Sequence, residues 1–142
     1  MKEKIKNLYN EDNNSAYKTL LELEIITTES NELYNYFNEF LNMLNNEKTF
    51  IRVRGFRLIC SLAKWDNENK INKNIDIILK ELEDEKGTSV RQCLEKLNLI
   101  LMHKIELTDI IENKVRNLEL SKYKESMQFL IKKDIDYILK HL

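Results

Sequence analysis

A period of 37 residues runs through this chain and constrains its fold more than any other feature. Ala16, Val53, Val90 and Met127 fall in register at that offset. So do Thr19, Phe56, Cys93 and Leu130, and then Ile26, Ala63, Ile100 and Tyr137. Two of the four stretches share a local phrase: NEKTFIRVRG from Asn46 and DEKGTSVRQC from Asp84 each set Val-Arg at the start of an apolar helical run. A unit of this length buries its apolar face by stacking on its neighbours, so a fixed period is the mark of a solenoid. The expectation is an all-α chain, an α-solenoid of about four antiparallel helix pairs. It forms one domain over 1–142, with units near 1–28, 30–65, 69–104 and 106–142.

The chain has no proline, and its only glycines are Gly55 and Gly87, so polar clusters do the punctuating. That suits helices joined by short turns and disfavours hairpins, which usually need glycine. A short first helix near 2–9 carries Ile5 and Leu8 and is expected to cap the stack at its edge. Asn14 or Ser15 is placed to cap the second helix, whose stripe is Ala16, Leu20 and Leu23. Leu33, Phe37, Phe40 and Leu44 make the third stripe. Thr49 opens the fourth helix, with Val53, Phe56, Ile59 or Cys60, and Ala63 inward. Ile71, Ile75, Ile78 and Leu82 mark the fifth, and Val90, Leu94, Leu97 and Leu101 the sixth. Leu107, Ile111, Val115 and Leu118 mark the seventh. Ser121 is expected to cap the eighth, which runs through Met127, Leu130, Ile131 and Ile138.

The formal net charge of −1 conceals an uneven distribution. Residues 1–49 hold five lysines against nine acids, whereas 50–65 hold Arg52, Arg54, Arg57 and Lys64 with no acid. Such a helix is either a solvated face that happens to be basic or a local patch for nucleic acid or phosphate.

No catalytic constellation emerges from the residue types. Cys60 and Cys93 sit on apolar stripes, where cysteine is ordinarily a small core residue, and two thiols fall short of a structural zinc set. His103 ends a helix and His141 is penultimate; neither has a nucleophile or acid at fixed spacing. Phosphate loops, HExxH and CxxC are all missing from the sequence. Glu81, Glu83 and Asp84 read as solvated turn charges. The sequence therefore points away from an enzyme and calls for no cofactor or metal. Trp65 has two readings, a plug between the second and third units or a partly exposed aromatic anchor of the kind that dominates binding hot spots.

The shared phrases and the helix-pair length resemble HEAT repeats, best over 46–104. The stretches AKWD (63–66), RQC (91–93) and SKYKESM (121–127) are similar to small bacterial chains built of HEAT-like repeats, some of which carry a label borrowed from iron–sulfur assembly proteins. A cluster scaffold would need converging ligands, and Cys60 and Cys93 are the only thiols. In that family an acidic turn residue often pairs with the arginine as a ladder. Arg54 and Arg91 match the arginine position, while Lys48 and Glu85 stand at the acidic one, with Glu47 and Asp84 a residue earlier. The family's first-helix proline is missing throughout.

The resemblance also implies that second helices line a concave side, which puts Arg54, Arg57, Arg91, Glu95, Tyr123 and Lys132 on or near it, with Trp65 beside them. It implies a binding or scaffold module for an as yet unidentified protein partner. The rival is a nucleic-acid or phosphate binder using Arg52, Arg54, Arg57 and Arg91. A third reading is a DNA-alkylation-repair-like glycosylase, for which Trp65 and Asp66 are a poor substitute for the family's aromatic, acidic cleft. The longest apolar runs are too short to span a bilayer and the N-terminus lacks a signal-peptide core, so a cytoplasmic location is expected.

Overall fold

A computed structural model describes all residues, 1–142, and contains only helices, turns and loops. Nine α-helices follow in order: α1 (Lys2–Asn7), α2 (Asn13–Glu29), α3 (Phe37–Met43), α4 (Thr49–Ser61), α5 (Lys70–Lys73), α6 (Ile75–Leu79), α7 (Gly87–His103), α8 (Thr108–Arg116) and α9 (Glu125–Lys140). Short 3-10 segments join or extend several of them.

The long helices α2, α4, α7 and α9 form a row in which each packs on the next. Shorter elements flank the row: α1 on α2, α3 on α4, and α8 on α9, while the 3-10 segment Lys80–Glu83 touches both α4 and α7. One continuous apolar core runs from Ile5 in α1 to Ile138 in α9. Leu8, expected at the edge, is fully buried within it. No helix is long and apolar enough to cross a membrane.

The first members of the expected pairs are more broken than their apolar stripes suggest. The stretch from Ser30 to Leu44 becomes a 3-10 turn, Glu32–Tyr36, followed by α3. The stretch from Ile71 to Leu82 splits into α5, α6 and another 3-10 turn. Asn74 interrupts it, leaving helical geometry at φ −119° and turning its side chain back to the Lys70 carbonyl (2.8 Å). Asparagine competes for backbone groups in this way, and a stripe of isoleucines does not reveal it.

Two caps also differ. Asp12, not Asn14 or Ser15, accepts from the amides of Asn14 (3.1 Å) and Ser15 (3.4 Å) to start α2. Ser121 lies in the turn before α9, which begins at Glu125.

The last unit slips by one residue. Tyr137, in register with the buried Ala63 and Ile100, is 63% exposed. The buried residues of α9 are Ile131, Ile135 and Ile138, which match Cys93, Leu97 and Ile100 at an offset of 38 rather than 37. One added residue in the turn before α9 rotates that helix by about 100°, a single step of the 3.6-residue repeat.

Helix α4 approaches α3 closely at Gly55. A Cβ on Gly55 would lie 2.7 Å from the Phe40 carbonyl oxygen and 2.8 Å from Met43 Cβ, so only glycine lets α4 seat this tightly on α3.

Candidate functional site

The basic stretch of α4 does not face solvent. Hardly any side chain of the helix does, because α2, α3 and α7 surround it. Arg54 and Arg57, expected on a concave face, are 5% and 6% exposed. Arg57 grips Glu24 of α2 with both arms, Nε to Oε2 at 2.9 Å and Nη2 to Oε1 at 2.8 Å, and donates from Nη1 to Gln92 of α7 at 3.0 Å. A single guanidinium thus ties three helices of the row. Burial lowers its pKa and the Glu24 carboxylate more than reverses this, so Arg57 stays charged.

Arg52 reaches the other way, to Glu81 Oε1 (2.9 Å) and Asp84 Oδ2 (2.5 Å). It also donates to the Asn46 and Glu47 carbonyls. Asp84 therefore does pair with an arginine, but with Arg52 and not with Arg91, the arginine of its own repeat. Arg91 holds Asp134 of α9 through Nε (2.7 Å) and Nη2 (3.2 Å). Glu81 and Asp84, read from sequence as solvated, are buried.

Glu81 is the strained member of this network. Its Oε2 is buried without a hydrogen-bond partner. Burial pushes its carboxyl up to about 7, with Asp84 adding to the rise and Arg52 opposing it. A carboxyl raised this way gives stability that is fully present below its ordinary value and is lost as pH rises through the folded value. Wild-type stability should therefore fall by about 1–3 kcal/mol between about pH 5 and 8 relative to Glu81→Gln, as urea melts at each pH would show. Parallel curves for the two proteins would contradict this assignment.

Trp65 is partly buried against the core, and its indole donates to the Thr27 carbonyl at 2.7 Å while Lys64 Nζ lies 4.8 Å above its ring. It pins the end of α2. Its neighbour Asp66 is a structural hub. It accepts from Tyr34 (2.5 Å) and from the amides of Lys70 and Ile71 (both 2.9 Å), and it pairs with buried Lys104 at 3.1 Å. Burial pushes the Asp66 carboxyl up, but these donors outweigh it and hold it below its ordinary value. An aspartate so fully used opens α5 and is not free to act on a substrate.

Tyr123 is buried and donates its hydroxyl to the Asp84 carbonyl, fastening the turn before α9 to the turn before α7. Lys132 is exposed on α9. Cys60 and Cys93 are buried free thiols, pushed well above their ordinary values by burial.

What remains open is a groove along the row of long helices. One stretch, about 570 Å³, lies between α7 and α9 over Leu94 and Ile138, with Arg91, Glu95 and Tyr137 on its sides. A second, about 450 Å³, continues over α2 and α4 between Tyr17, Leu21 and Lys96. Gln92 and Glu95 line both, so the two stretches are continuous. Of the sequence-derived candidates, Arg57, Arg91 and Glu95 meet here; Trp65, Tyr123 and Lys132 do not line it.

The charges of the groove are mostly spent internally: Arg57 and Lys96 on Glu24, and Arg91 on Asp134. Glu95 is exposed and has no ion-pair partner. Tyr137, stacked 4.2 Å from the His141 ring, and half-exposed Tyr17, 5.6 Å from the Arg57 guanidinium, supply aromatic surface. Tyr137, Gln92, Asp134 and Glu24 also line the groove, and no local sequence motif marks any of them. Comparison with known family models, curated proteins and solved structures gives no match.

Proposed function

We propose that the chain is a non-enzymatic HEAT-like repeat module, its helix pairs stacked as a short superhelix, that holds a protein partner in the groove over α2, α4, α7 and α9. The observation that carries this reading is the continuous groove, whose open surface combines Tyr17, Leu21 and Tyr137 with one unpaired carboxylate, Glu95. Half-exposed aromatics over an apolar floor are the usual anchors of a protein interface. The row of α2, α4, α7 and α9, flanked by shorter elements, supports the repeat reading. The nucleic-acid reading draws less support, because Arg52, Arg57 and Arg91 are already paired with carboxylates and Arg54 is buried.

The test is capture of a partner from native lysate by wild type and by Tyr137→Ala and Glu95→Lys variants, each with and without nuclease. Both substitutions alter exposed side chains and should leave the melting temperature unchanged. Each should weaken capture about tenfold, as loss of an interface anchor does. Capture that vanishes with nuclease would favour the nucleic-acid reading instead. Nuclease-resistant capture indifferent to both substitutions would place the interface elsewhere.

A further inference from the structure

Four of the five arginines have carboxylate partners: Arg52, Arg57, Arg91 and Arg116. Arg54 has none, and it is the most deeply buried of the three in α4. Its Nη1 donates to the Leu8 carbonyl at 2.8 Å and its Nη2 to Asn13 Oδ1 at 3.0 Å. These neutral acceptors tie α1 to α2 but leave the charge uncompensated, and a buried charge without a counter-ion is expensive. Burial alone, with no opposing anion, lowers the pKa of this guanidinium.

Arg54 lines a cleft of about 410 Å³ where the turn before α2 meets the start of α4. Lys48 and Lys86, both exposed, line the same cleft. Thr49 and Phe50 line it from the first turn of α4, a 13-residue helix to whose first amides no side chain gives a cap. Uncapped amides at a helix start, together with the positive end of its dipole, favour an anion. Glu11 and Glu47 are the opposing charges, so the lining carries three cations against two carboxylates. Glu11 lies 3.6 Å from Lys48, and both side chains are largely exposed, free to swing aside.

We propose that this cleft binds an oxyanion, a phosphate or carboxylate group carried by a small molecule, with Arg54 as the buried counter-charge and Lys48 and Lys86 as mobile walls. The site shares no lining residue with the groove over α7 and α9 and does not depend on what that groove binds.

The test is thermal unfolding of the full chain in sodium phosphate, in sodium malonate and in sodium chloride, at matched ionic strength. Phosphate, malonate or both should raise the melting temperature saturably beyond chloride, because a ligand of the native state stabilises it by mass action. Which of the two acts identifies the oxyanion. In the Lys48→Ala, Lys86→Ala double variant the midpoint concentration should rise about tenfold, the worth of two exposed charges. The amide signals of Thr49 and Phe50 should shift with the same midpoint. Arg54→Gln should abolish the response if it folds, and the lysine variants decide the matter if it does not. Equal melting in all three salts would overturn the proposal, as would a midpoint unmoved by removing both lysines.

Discussion

Replacing Arg57 by alanine is expected to destabilise the chain by about 3–5 kcal/mol, the cost of leaving a buried partner charge uncompensated. The partner is Glu24, whose side chain is only 12% exposed. Lys96 lies 3.8 Å from the same carboxylate and will recover a little of the loss. The informative comparison is the double replacement Arg57→Met, Glu24→Leu. An apolar pair of similar volume often equals or exceeds a buried ion pair in stability, so the double variant should return close to wild type. Urea denaturation of the three proteins measures both effects. A loss below about 1 kcal/mol in Arg57→Ala would be the signature of a solvated surface pair and would return Arg57 to the accessible face.

Phe56→Ala should cost a comparable amount, about 3–5 kcal/mol, since it empties the middle of the core. Phe56 is fully buried on α4, the helix that touches α2, α3 and α7. At the far end of the row, Ile135→Ala on α9 should show a different pattern as well as a smaller loss. In a stack of units the terminal helix frays by itself, so hydrogen exchange should quicken in α9 while α4 and α7 keep their protection. Uniform quickening in both variants would instead indicate a single all-or-none core.

The apolar stripes of α2, α4 and α7 were legible because a helix buried on one side repeats its inward residues at three and four. The burial of Arg57 was legible too, although charge suggested otherwise. At the 37-residue offset it stands with Leu20 and Leu94, both of them buried. A polar residue at a position that other units fill with aliphatics is a buried ion pair in waiting, and periodicity should outrank residue type there.

Other features left no such trace. The partner of Arg57, Glu24, lies 33 residues away, and nothing local to either residue joins them. The added residue before α9 shifts a buried stripe without breaking its pattern, so the 37-residue register still placed Met127 and Leu130 inward although each is only partly buried. Exposed Tyr137 became part of the groove only through that shift. The burial of Asp66 left no local mark because two of its partners, Tyr34 and Lys104, come from distant segments.

The groove can be interrogated directly by placing a photo-crosslinking side chain at Gln92 or Tyr137, and at Ile77 or Ile110 on α6 and α8, which lie outside the groove lining. Irradiation in native lysate should give a discrete protein adduct from the first two positions, suppressed by an excess of unlabelled wild type and not by the Glu95→Lys variant. Adducts confined to Ile77 and Ile110, or adducts at Gln92 that Glu95→Lys competes away as well as wild type does, would contradict a partner held over α7 and α9.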